Sequence, residues 1–252
     1  MRFDYPREDQ IPQLRQLWKK AFGDTDAFLD IFFSTAFSPR RCRCILREER
    51  IAAALYWFDI RWDDLPCAYI YAVATDPECR GQGLCRALME DCGQILADAG
   101  YAGALLVPQD EGLRAMYGKM GYLPATRLDE FHCAASDHST SMQELTAMEY
   151  SGHRGIYLPA GSVIQEGENL AFLSGIARFY KGDRFLAAVS REPDHLRILE
   201  YLGDSAEIGP LIAALGHREA TVRTPGSRMP FAMYRPLSER CIRPNYFSFC
   251  FD

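Results

Sequence analysis

The run from Tyr69 to Met89, YIYAVATDPECRGQGLCRALM, has the makings of an anion-binding turn. A stretch rich in Tyr, Ile, Val and Ala ends at Asp76-Pro77, Arg80-Gly81-Gln82-Gly83 follows, and a helical pattern opens at once. The first N–H groups of a helix have no internal partner and sit at the positive end of its dipole, so phosphate oxygens bind there. Glycine leaves the backbone uncovered and lets an anion approach it. Tyr69 and Tyr71 alternate onto one face of the preceding strand, where they line a substrate site or pack. Asp110 has two readings as well: a bond to ligand, or a plain helix cap.

These residues need a scaffold, and the surrounding pattern supplies one. Ile11, Leu14, Leu17, Trp18 and Phe22 form an apolar stripe at helical spacing, stopped by Gly23. Asp24-Thr-Asp26 introduces a second helix through Phe28, Leu29, Ile31, Phe32 and Phe33. Strands are expected over 42–47, 51–60 and 67–75, joined by tight turns at Glu48-Glu49-Arg50 and Asp63-Asp64. After the glycine turn, Leu84, Leu88, Cys92, Ile95 and Leu96 share a helix face that ends at Gly100. A buried strand follows over 102–107, then a helix with Leu113, Met116 and Tyr117, then a strand from Tyr122. The order ααβββαβαβ is an α/β layout with the glycine turn after a mid-sheet strand. Arg41, Arg43 and Arg47 read as a solvated strand face or as a patch for an acidic ligand.

Residues 129–150 are polar and read as a linker, dividing the chain into domains 1–128 and 151–252. The later part repeats the signals in shortened form, with strands over 185–190, 196–202, 220–223, 230–234 and 246–251. Asp204 and Glu207 have capping-box spacing ahead of Ile208, Leu211, Ile212 and Leu215. Where a repeat would carry a glycine turn it has Gly203-Asp-Ser-Ala-Glu207, whose carboxylates repel phosphate. The expectation is a smaller α+β C-terminal domain, a degenerate half repeat without the ligand turn.

With 252 residues there is material for one large or two ordinary domains. A net charge of -6 argues against nucleic acid as the main partner, and slightly favours a cationic acceptor. No apolar signal segment opens the chain and no run has membrane-spanning length, so a cytoplasmic protein without a membrane partner is expected. The nine cysteines lack any Cys-x-x-Cys pair, which argues against a structural metal and a disulfide framework. Homo-oligomerisation is left open.

Tyr69 to Met89, with Tyr117-Gly-Lys-Met-Gly121-Tyr122 downstream, resembles the GCN5-related N-acetyltransferase (GNAT) family over roughly residues 5–126. The motif is a strand followed by Arg/Gln-x-x-Gly-x-Gly/Ala, here Arg80-Gly81-Gln82-Gly83-Leu84-Cys85; Cys85 departs from the usual small residue. In layout the whole chain resembles the two-domain branch of enhanced-intracellular-survival acetyltransferases. The resemblance implies a GNAT fold with a mixed central sheet and acetyl-CoA as co-substrate, with no metal. Its pyrophosphate would lie on the N–H groups of Arg80, Gly81, Gln82, Gly83, Leu84, Cys85 and Arg86. The pantetheine arm would pair with Ala72, Val73, Ala74 and Thr75, and an N–H near Val73 would stabilise the oxyanion. Tyr117 would protonate the departing thiolate, since a phenol of ordinary pKa is protonated at neutral pH. In that branch the terminal carboxylate acts as base, which would bring Asp252 to the site. The acceptor would be a small-molecule or peptide amine.

Two rival readings remain. A dinucleotide-binding turn also pairs glycines with a helix start, but it wants a third glycine where Arg86 stands, and crossovers rather than tight turns between the preceding strands. A non-catalytic acyl-CoA sensor is the other, since no general base is evident besides the implied terminus.

Overall fold

The computed structural model describes residues 1–165, 167–191, 195–239 and 244–247. Asp252 therefore lies outside the described residues. The first stretch of chain gives β1 (Arg2–Asp4), α1 (Ile11–Phe22), α2 (Asp26–Thr35), β2 (Cys42–Arg47), β3 (Arg50–Trp62), β4 (Leu65–Thr75), α3 (Leu84–Asp98), β5 (Gly103–Leu106), α4 (Glu111–Gly118) and β6 (Leu123–Pro124). There follow β7 (Arg127–Ala134), β8 (Gln143–Leu145), α5 (Ala147–Tyr157), β9 (Val163–Gln165), α6 (Glu168–Ile176), β10 (Ala177–Lys181), β11 (Phe185–Ser190), β12 (Arg197–Gly203), α7 (Ile208–Ala214), β13 (Glu219–Pro225), β14 (Met229–Pro230) and β15 (Met233–Pro236). Among the described residues no helix is long and apolar enough to cross a membrane.

Two compact units result. The first holds Met1–Leu123 and then collects β15; the second is built on Pro124–Ala232 and takes up the chain again after β15, at Tyr246. The first unit's sheet runs β1-β2-β3-β4-β5-β15-β6. It is antiparallel from β1 to β4, parallel between β4 and β5, and antiparallel again between β5 and β15. Strand alternation sends successive side chains to opposite faces. Ile45, Ala53, Leu55, Trp57, Ala68 and Ile70 meet Leu84, Leu88, Met89, Cys92 and Leu96 of α3 in one buried core. The opposite face is aromatic: Tyr56, Phe58, Tyr69 and Tyr71 pack with Trp18 of α1 and Phe32 of α2. Local chemistry sets the helix limits. Gly23 (φ 78°) closes α1, its N–H on Lys19 O, and the Thr25 side chain caps α2 by accepting from Phe28 N at 3.2 Å.

The second unit's sheet runs β14-β7-β13-β12-β11-β10-β8. Strands β8, β10, β11 and β12 are antiparallel, β12 and β13 are parallel, and β13 pairs antiparallel with β7. That is the first unit's pattern over again, fuller than a half repeat. At its heart Glu200 is wholly buried and accepts from Tyr150 Oη (2.7 Å), Arg154 Nε (2.7 Å) and Nη2 (2.9 Å), and Tyr246 Oη (3.1 Å).

Several sequence expectations change here. β1 went unread because three residues before Pro6 are too few to show a period. The polar stretch 129–150 is no linker: β7 and β8 are strands of the second sheet, and α5 begins within it behind a Thr146–Glu149 capping box. β7 looks like a loop because it alternates buried and exposed positions and carries charge on its open face. The expected strand over 230–234 divides into β14 and β15, which enter different sheets. Consequently the boundary expected at 128 does not close the first unit, whose β15 arrives only after Pro124–Ala232 of the second.

Candidate active site

β4 is paired with β5 only where Cys67–Tyr69 faces Gly103–Leu105. Beyond Tyr69 that edge of β4 is open among the described residues. On its other side Ala74 faces Ala54 and Tyr71 faces Tyr56, so Ala72 and Val73 together oppose the single residue Leu55. This is a bulge, and Ala72 takes φ 47° to make it. A non-glycine residue there costs of the order of 1 kcal/mol, and such strain persists where the surroundings enforce it. The bulge turns the strand, and on the side away from β3 no strand pairs with residues 72–75 among the described residues.

The chain then enters a short 3-10 turn, Pro77–Cys79. Asp76 holds it, accepting from Glu78 N at 3.1 Å and from Lys20 Nζ at 3.0 Å. The Lys20 hydrogen bond, with that of the Glu78 amide, keeps the Asp76 carboxyl below its ordinary range. Gly81 (φ 75°) and Gly83 (φ 76°) come next, and a Cβ built on either meets nothing within 4 Å. Backbone conformation, not crowding, requires glycine at both, and the space above them is free for a ligand. Gly83 is the N-cap of α3, so no side chain caps that helix and no acid occupies its first turn. The contrast is with α2, α4 and α5, capped by Thr25, Asp110 and Thr146. Arg80, Gln82 and Arg86 are exposed around this open end. Arg80 Nε reaches Thr75 O at 3.4 Å. Leu84 is buried in the core, and Cys85 is half-buried against it. Burial pushes the Cys85 thiol up, so it packs as a neutral side chain while its N–H stays in the first helical turn.

Tyr117 lies on α4, nearly buried, its ring 5.9 Å from that of Tyr122. Arg86 Nη1 donates to Lys119 O at 3.4 Å, so the end of α4 that carries Tyr117 lies against the first turn of α3. Burial drives the Tyr122 phenol far up, which keeps it neutral. Asp110 is the cap of α4, accepting from Leu113 N at 2.7 Å. Tyr69 and Tyr71 are buried in the aromatic layer beside Phe58, so packing accounts for both. Arg41 pairs with Asp59 at 3.2 Å and Arg43 with Asp91 at 2.6 Å. The bulge at Ala72 had no sequence signal, being a register feature of β4 against β3.

In the second unit, among the described residues, β12 pairs with β13 only at Arg197 and Ile198. The turn that follows is closed rather than open. Asp204 accepts from Ala206 N at 2.9 Å, and Arg184 bridges Asp204 and Glu207. The uncapped, glycine-entered helix start belongs to the first unit.

Residues 77–86 and the open edge of β4 fit acetyl-CoA: an uncapped helix start under free space suits a diphosphate, and an unpaired strand edge suits an amide-bearing arm. Residues 2–125 match the acetyltransferase (GNAT) domain family. The chain is 33% identical over 173 residues to the N-acetyltransferase Eis of Mycobacterium tuberculosis, covering 60% of this chain and 41% of that protein. It thus spans about two fifths of the length of the curated relatives it matches. A GCN5-related N-acetyltransferase from Anabaena variabilis superposes with a TM-score of 0.73 at 17% identity, over 94% of this chain and 73% of that one. A tandem GNAT protein from the clavulanic acid biosynthesis pathway gives 0.59 at 12% identity, over 95% and 99%. These likenesses extend the GNAT fold across both units. Residues 2–125, the stretch that holds the open glycine turn, thus form an acetyltransferase (GNAT) domain.

Proposed function

We propose that the chain is an N-acetyltransferase that moves the acetyl group of acetyl-CoA to a primary amine by direct attack. The observation that carries this reading is the uncapped, glycine-entered start of α3 beside the open edge of β4. Acetyl-CoA supplies a thioester carbonyl and a thiolate leaving group. The N–H groups of residues 80–86 hold its pyrophosphate, while 72–75 take the pantetheine arm as a neighbouring strand would. The N–H near Val73 faces the carbonyl oxygen as negative charge develops there. The amine nitrogen forms the new bond to carbon, the C–S bond breaks with its electron pair going to sulfur, and Tyr117 Oη gives sulfur a proton. The amine's released proton restores the phenol. Tyr117 is a catalytic residue in this scheme.

All seven described cysteines are free thiols, in keeping with a reducing compartment such as the cytoplasm. The test has two stages. Calorimetry should show acetyl-CoA binding, with NADH inert. A thiol-release assay against a panel of amines should then find an acceptor, and Tyr117→Phe should lower kcat by about a hundredfold or more with acetyl-CoA affinity kept. Binding without thiol release for any amine would point instead to an acyl-CoA sensor; full turnover by Tyr117→Phe would remove the assigned acid.

A further inference from the structure

The first unit also contains a cavity of about 410 Å³ between α1, the β2–β3 turn and the end of β4. It lies on the β3 side of β4, away from the open edge, and is of ligand-binding size. Two of its lining residues, Arg47 and Arg50, stand directly opposite each other in the β2–β3 register. Like charges so placed repel. Unlike those of Arg41 and Arg43, neither side chain makes a hydrogen bond or ion pair among the described residues. The turn that joins them is itself strained. Glu48 (φ 48°) and Glu49 (φ 65°) occupy positions that favour Asn-Gly, and Glu49 is held there by Arg2 and Arg7, each at 3.3 Å. The chain thus keeps two repelling guanidinium groups over a cavity with a backbone geometry that costs it stability.

We infer that this cavity is a second binding site, for a small zwitterion of the amino-acid class. Two adjacent guanidinium groups suit a carboxylate. Glu48 and Glu78 line the same cavity, make no ion pair among the described residues, and suit an ammonium group. Asp76 is held by Lys20 and the Glu78 amide, and its charge also acts on Arg50, leaving Arg47 the less engaged of the two arginines. Buried Leu17 and Ile51 give the wall an apolar part for a side chain. A simple inorganic anion would satisfy the arginines and leave the glutamates facing it. The turn Pro77–Cys79 forms one wall and runs directly into the glycine turn, so occupancy here is coupled to ligand affinity there, in both directions.

The test is ligand-observed NMR on the full chain with an equimolar mixture of the twenty amino acids, CoA being present in excess to occupy the glycine turn. At least one amino acid should bind. Its Kd should rise about tenfold or more in Arg47→Gln/Arg50→Gln, as expected for losing a charged bidentate contact, and also in Glu48→Gln/Glu78→Gln. The corresponding carboxylic acid without its amino group should bind more weakly than the amino acid. No binding by the wild type overturns the inference, and so does binding that both variants retain, which would place the ligand elsewhere. Calorimetry of CoA with the same variants reports separately on the glycine turn, so a failure here leaves the acetyl-CoA reading untouched.

Discussion

Replacing Glu200 by Gln tests what holds the second unit together. The carboxylate accepts four hydrogen bonds, two of them from Arg154, and the two side chains are 0% and 4% exposed. Glutamine keeps the volume but turns an acceptor oxygen into a donor and leaves the Arg154 charge buried without a counter-charge. Breaking a buried pair in this way costs about 3–5 kcal/mol, a large share of the roughly 5–15 kcal/mol that stabilises an ordinary domain. Arg154→Met should cost a similar amount, since it strands the carboxylate. The double variant should cost less than the two together, because neither charge is then unpaired. Acidity adds a second signature. Burial alone would raise the Glu200 carboxyl, but the Arg154 charge and the hydrogen bonds from Arg154, Tyr150 and Tyr246 hold it below its ordinary value. Its contribution is therefore complete above the unfolded pKa of about 4.3 and is lost as pH falls through the lower folded value. The wild-type advantage over Glu200→Gln should be constant near neutrality and shrink only in acid. All three tryptophans, Trp18, Trp57 and Trp62, lie in the first unit, so their fluorescence is the wrong probe. Hydrogen exchange along the β11–β12 ladder during urea titration is the right one. A cost below about 1 kcal/mol, or strict additivity of the two single changes, would refute the reasoning.

Two further outcomes follow from the first unit. Gly83→Ala should cost about 1–2 kcal/mol through its left-handed conformation alone, since its Cβ meets nothing; thermal melting should show this loss, and kinetics a raised KM for acetyl-CoA with kcat little changed. A chain ending at residue 128 should fail to give a soluble, cooperatively melting protein, because β5 would lack its β15 partner and present a bare edge; a clean melt of that fragment would contradict the sheet order.

What could be read in advance was whatever repeats locally. The stripe of α1, the runs of β3 and β4, and the glycine turn into α3 carry their period or their punctuation within a few residues. Long-range pairing left no such trace. Nothing near Met233 says that it will pair with Leu106, or near Leu128 that it will pair with Pro225. The bulge at Ala72 is likewise a matter of counting against β3. Glu200 is a middle case. A lone acid in the apolar run Ile198-Leu199-Glu200-Tyr201-Leu202 implies a buried charge in need of partners, but Arg154 and Tyr246, far away in sequence, could not be named from that run.

The return of β15 has a consequence for how the protein is made. Translation delivers everything the glycine turn needs by Leu123, yet β5 waits for its neighbour while Pro124–Ala232 is synthesised, several seconds at about 5–20 residues per second. The second unit in turn takes β7 from the chain that precedes the rest of its sheet. Most of the second unit is thereby made before the first is complete, and a lineage could not shed it by simple truncation. A half with its anion turn closed by Arg184, Asp204 and Glu207 can thus be retained for its place in the thread, without a ligand of its own.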